Sequence, residues 1–178
     1  MTQNNFLSNE DALRRKAHLL LSYVLAKYDL DMLNNPIGEY WCPVIDMQEY
    51  ENEQLHDALI SFSALMRVND DITGGFKAHK ENNAEGVGTL NFKETTGPLS
   101  LREACNKIIH CTKYEWKLTY SKEHPIYPKY REELYNIENW QQYKKPMLLV
   151  EGELYDNPWT AEVNILKYIL AFGFSTSH

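Results

Sequence analysis

The stretch from Ser100 to His110, Ser-Leu-Arg-Glu-Ala-Cys-Asn-Lys-Ile-Ile-His, constrains the chain more than any other. Ser100 with Glu103 three residues on is a capping-box pair, so a helix has to start there. Leu101, Ala104, Cys105, Ile108 and Thr112 then form an apolar stripe that must face a core. Arg102, Asn106 and His110 recur at four-residue steps on the other side. At roughly 100° per residue they fall within an arc of about 80°, and His110 points about 180° away from Leu101. One helix therefore carries a cation, an amide and a titratable imidazole along one face. Two roles fit such a stripe: a solvated surface, or a groove made with another helix or a second subunit.

The helix needs a body to pack against, and the remaining pattern supplies one. A chain of 178 residues with 43% hydrophobic side chains suits one domain over 1–178 with a sizeable core. Ser8 with Asp11 marks the expected start of a first helix, and Leu13, Ala17, Leu20, Leu21, Val24 and Tyr28 repeat at helical spacing to about Leu33. Asn34-Asn35-Pro36 stops it, and two prolines make the segment through Tyr40-Trp41-Cys42-Pro43 to Asp46 an aromatic loop. A second helix presents Leu55, Ala58, Leu59, Phe62, Leu65 and Met66 to the core and ends at Gly74-Gly75. From about Phe76 to Pro98 the sequence is polar and weakly patterned, which predicts a long loop with at most a short strand around Val87 to Phe92.

After the Ser100 helix the period changes to two. Trp116, Leu118 and Tyr120 alternate with Lys117 and Thr119 as in a half-buried strand. Pro125 and Pro128 bracket an insertion, and a short helix is expected from Tyr130 with Leu134, Ile137 and Trp140 inward. Met147 to Leu154 and Trp159 to Ile165 predict a hairpin around Asp156-Asn157-Pro158, and Leu166, Ile169 and Leu170 return to helical spacing. The expected fold is α+β: a helical body of three to four main helices with a C-terminal three-stranded antiparallel sheet.

Composition narrows the function classes. A formal net charge of −7 argues against a broad non-specific nucleic-acid surface, which needs clustered Lys and Arg, but leaves room for a small basic site. No apolar run approaches the ~20 residues of a membrane span, and Met1 to Ser8 lack the basic and apolar stretches of a signal peptide, so a cytoplasmic location is expected. Cys42, Cys105 and Cys111 form no CxxC pair and no even set, which points to reduced thiols without a disulfide framework or zinc site. His18, His56, His110 and the acidic residues show no metal-ligand spacing, and no cofactor motif is present.

The chemistry open to the stripe is proton and phosphate chemistry. An imidazole near neutrality exchanges a proton, a guanidinium grips a phosphate oxygen pair, and an amide orients either one. Metal-independent RNA cleavage needs little more, because the ribose 2′-hydroxyl is the nucleophile. Arg67, Asp70 and Asp71, at the end of the second helix, are candidate supporting groups; Arg67 and Asp71 have ion-pair spacing.

Cys105-Asn106-Lys107-Ile108-Ile109-His110 resembles the Arg-Asn, three residues, His signature of HEPN domains, helical proteins abundant among prokaryotic toxins and defence ribonucleases. The resemblance implies a ribonuclease of phage defence or of a toxin system. His110 would be its acid/base, Arg102 its phosphate contact and Asn106 its orienting group, in a homodimer that brings two sites together. Asn106 and His110 match the signature, whereas Cys105 stands at the usual Arg position and seven residues separate Arg102 from His110. That departure suits a non-catalytic interaction or regulatory protein on the same scaffold, with a protein partner instead of RNA. An acidic phage or immunity protein with exposed aromatics is a third class.

Overall fold

The computed structural model describes residues 3–33, 44–121 and 143–173. Two long helices start the chain, α1 (Gln3–Leu33) and α2 (Val44–Thr73), and they pack against each other. Leu13, Ala17, Leu20 and Val24 of α1 are buried, as are Leu55, Ala58, Leu59, Phe62 and Met66 of α2, while Leu65 is half-buried. Both helices begin earlier than the sequence suggested. Asn4-Asn5-Phe6-Leu7 holds no Gly or Pro, so α1 runs through Ser8 instead of starting there. Nothing breaks the backbone after Pro43 either, and Val44 to Asp46, expected as the end of a loop, are helical. The rest of that aromatic loop and the expected helix around Tyr130 lie outside the described residues.

The expected long loop from Phe76 to Pro98 is instead a helix and a hairpin. Gly74, at φ +69°, ends α2 with its N–H on the Asp70 carbonyl (2.7 Å) and turns the chain directly into α3 (Gly75–Asn82). A glycine pair that sequence patterning treats as the start of a loop is here a one-residue corner. Phe76 and His79 anchor α3 in the interior. Gly86, at φ +64°, then brings the backbone so close to Leu99 that an added Cβ would meet the Leu99 carbonyl oxygen at 2.2 Å. This contact closes β1 (Gly88–Phe92) and β2 (Thr95–Leu99) into an antiparallel pair turned by Lys93 at φ 56°.

Next come α4 (Leu101–Ile109), β3 (Lys113–Ser121), β4 (Tyr143–Leu154), β5 (Asn157–Asn164) and α5 (Ile165–Leu170). The sheet is therefore five-stranded and antiparallel, in the order β2-β1-β5-β4-β3, and five helices accompany it among the described residues. This corrects the expected C-terminal sheet of three strands on three to four helices. β1 lies within the short strand expected at most around Val87 to Phe92 and joins the sheet by pairing with β5, whereas β2, with two Thr, Gly97 and Pro98, reads as loop in isolation and is an edge where Pro98 is tolerated.

The hairpin of β4 and β5 turns one residue pair earlier than expected. Tyr155 and Asp156 hold the two positive φ values, 50° and 60°, that a two-residue turn between twisted strands requires. Asn157 bonds the Tyr155 carbonyl (2.6 Å), and Pro158 lies inside β5, opposite Glu153 and past the end of β1.

The two sheet faces differ, although Met147 and Asn164 of the outer face are buried. On the inner face Leu90, Ala161, Val150 and Tyr114 share one row, Val163, Leu148 and Trp116 another, and Phe92 and Trp159 a third, in which Trp159 sits opposite Gly152. A Cβ on Gly152 would lie 2.3 Å from the Trp159 ring, so the tryptophan is seated where a side chain is missing. His56 of α2 stacks on Tyr114 (centroids 4.0 Å, 8° between planes), and Lys107 of α4 sits 4.0 Å from the Trp159 ring centre. On the outer face Thr96, Asn91, Thr160, Glu151 and Lys113 form one row, all exposed. The helices thus sit on one face of the sheet, with the core between.

Candidate functional site

The capping box at the start of α4 is complete: Ser100 Oγ accepts from the Glu103 N–H (3.3 Å), and a Glu103 carboxylate oxygen accepts from the Ser100 N–H (3.2 Å). The box fixes the helix rotation that the sequence implied. Leu101, Ala104, Cys105 and Ile108 are buried, Arg102 and His110 are exposed, and Asn106 is half-buried. Thr112, expected in the buried stripe, is exposed; the helix has ended, and its N–H donates to the Glu151 carbonyl (2.8 Å).

Packing of α4 on α2 brings five of the six candidate residues together. Arg102 donates through Nη1 to Asp70 Oδ2 and through Nη2 to Asp71 Oδ1 (3.1 Å). Arg67 donates through Nη1 to Asn106 Oδ1. The expected ion pair of Arg67 with Asp71 is replaced by these two bridges between helices, because both partners reach α4 from the end of α2. Arg102 and Asn106 thereby find their partners within the same chain.

Asp70 is the centre of the set. It is only 7% exposed, and while Oδ2 takes Arg102, Oδ1 accepts the N–H of Phe76 at 2.8 Å. One carboxylate thus ties the first turn of α3 and the face of α4 to the last turn of α2. The hydrogen bond to Asp71 above all, reinforced by Asp70 against the opposing effect of burial, holds the Arg102 pKa above its ordinary value. Arg67 is enclosed differently: its Nε is buried with no hydrogen-bond partner among the described residues.

His110 stands apart. It is the residue that ends α4 (φ −111°, ψ 14°), its backbone N–H donates to the Asn106 carbonyl (3.0 Å), and its side chain is exposed. Cys105, at the position where the HEPN signature has Arg, faces the core. It is fully buried, its Sγ lies 3.4 Å from Tyr168 Oη, and burial pushes the thiol up to about 12. A thiol in that state stays protonated and is no nucleophile at neutral pH. Cys111 is half-buried with its thiol also raised by burial.

Sequence patterning missed the companion of this site. Ser63, Tyr168 and Cys105 form a buried polar chain, with Ser63 Oγ 2.5 Å from Tyr168 Oη, and Ser63 Oγ also donates to the Leu59 carbonyl (2.7 Å). Burial raises the Tyr168 hydroxyl well above its usual value. The signal available was slight: Tyr168 lies in the apolar run of α5, where a hydroxyl needs a partner.

Among the described residues no group of three His, Cys, Asp or Glu side chains is placed to hold a metal ion, and no helix is long and apolar enough to cross a membrane. Comparison with protein-family profiles, with curated proteins and with solved structures finds no match to this chain.

Proposed function

We propose that this chain is a non-catalytic HEPN-like interaction protein, and that the polar set on α2 and α4 is a clasp between helices. One observation carries the proposal: Arg102, the intended phosphate contact, already spends its guanidinium on Asp70 and Asp71. A phosphate arriving there would meet two carboxylates and would have to displace them, a repulsive arrangement for an anion. The exposed Val68 and Ile72, one turn apart on α2, and Tyr155 at the hairpin tip supply apolar surface for a protein contact.

A second function, a metal-independent ribonuclease acting in phage defence or as a toxin, draws support from a different observation. Arg67 reaches Asn106, one turn before His110, so α2 supplies a guanidinium beside one of the two residues that match the HEPN signature. In that mechanism His110 exchanges the proton, Asn106 orients it and Arg67 holds the phosphate.

RNA incubated with the purified chain and a chelator separates the two. The interaction protein leaves single-stranded and structured RNA intact, and Arg102→Ala lowers its melting temperature. Cleavage that His110→Ala abolishes and Arg67→Ala weakens would establish the ribonuclease instead.

A further inference from the structure

The two edges of the sheet are unlike. β2 is five residues long and contains Gly97 and Pro98, a short edge that lacks one backbone donor. β3 is nine residues long with neither Gly nor Pro, and β4 is its one strand neighbour among the described residues. Its side chains alternate. Tyr114, Trp116 and Leu118 are half-buried on the helix side, whereas Lys113, Glu115 and Lys117 are exposed on the other. A long edge of this kind is a template for another strand, since half of its backbone donors and acceptors point away from β4.

We propose that the edge of β3 facing away from β4 pairs with β3 of a second copy of this chain, antiparallel about a two-fold axis at Trp116. Charge and strand overlap together favour this occupant and this register. With Trp116 opposite itself, each Glu115 faces the Lys117 of the other copy, which makes two identical ion pairs, and Tyr114 faces Leu118. Moving the axis to Lys117 sets Lys117 against Lys117 and Glu115 against Thr119; moving it to Glu115 sets Glu115 against Glu115 and Lys113 against Lys117. Both shifts put like charges face to face; an axis at Tyr114 again sets Lys113 against Glu115 but overlaps only residues 113–115 of the strand, and an axis at Leu118 makes no ion pair, so Trp116 is the register that combines two ion pairs with a long overlap. The two sheets join into one of ten strands, with the inner-face row of Val163, Leu148 and Trp116 continuing across the axis.

Sedimentation equilibrium of the full chain tests the pairing. The wild type is a dimer at micromolar concentration. Glu115→Lys and Lys117→Glu each convert both ion pairs into repulsions, and each weakens the dimer by about tenfold or more. The double exchange, Glu115→Lys with Lys117→Glu, restores opposite charges and returns the dimer toward wild-type strength, while unchanged thermal melts verify that all three variants fold. A monomeric wild type overturns the proposal. So does a dimer that ignores the single exchanges, or one that the double exchange does not restore.

Discussion

The seam between α2 and α4 and the outer face of the sheet use the same kinds of polar side chain for different ends. In the seam Asp70 is buried, and each of its oxygens holds a separate element, Arg102 of α4 and the N–H of Phe76 in α3. On the sheet Thr96 donates to Asn91 (2.6 Å) and Asn91 to Thr160 (3.2 Å), a comparable ladder across three strands, but all three residues are exposed. Water replaces any member of the ladder at little cost, whereas Asp70 is largely shielded from it. The Lys113 and Glu151 pair, 3.9 Å apart, makes the same point, since both ends are mostly in solvent. Burial, more than the presence of a hydrogen bond, therefore decides what a polar group contributes.

The sharpest separation of the regions comes from the apolar side of the seam. Ile108→Ala should cost about 2–5 kcal/mol, read as a lower midpoint in denaturant unfolding, because Ile108 is fully enclosed. Asp70→Ala should follow at roughly 1–3 kcal/mol, since it strips the Phe76 N–H and one arm of Arg102 together. If Thr160→Ala cost as much, the contrast with the sheet would collapse; it should stay within about 0.5 kcal/mol, as should His110→Ala.

A pH series adds a smaller effect at the edge of the seam. His79 of α3 is 2% exposed, and burial holds its imidazole below the ordinary value. The unfolded chain then takes up the proton first, so stability falls as pH drops below about 6.5. His56, lowered by burial against the opposing charge of Asp57, acts in the same direction. His79→Gln should make the loss of melting temperature between about pH 7.5 and about pH 5.5 shallower than in the wild type.

The local features of α4 were legible in its sequence because capping and periodicity act over a few residues. Ser100 and Glu103 pair as expected, and Ile108 and His110 lie on opposite sides. Arg67, Asp70 and Asp71 were legible as supporting groups, but not which of them Arg102 and Asn106 would meet. These partners lie more than thirty positions away, and periodicity places a side chain on a face without saying what that face meets. The same limit hid β2, whose Thr, Gly and Pro become a strand by pairing with β1, and hid the pairing of β1 with β5, although a short strand around Val87 to Phe92 is legible. Gly74-Gly75 misled for a different reason: a glycine at positive φ ends one helix and starts the next as readily as it opens a loop.

The central claim is that Asp70 and Arg102 hold helices together. A double-mutant cycle measures this directly, with Asp70→Ala, Arg102→Ala and the double variant unfolded in denaturant. The clasp predicts a coupling of about 1–2 kcal/mol, each single change having already removed much of what the other contributes. Additive losses, agreeing within about 0.3–0.5 kcal/mol, would mean that the two residues act independently and that Arg102 is free for another role.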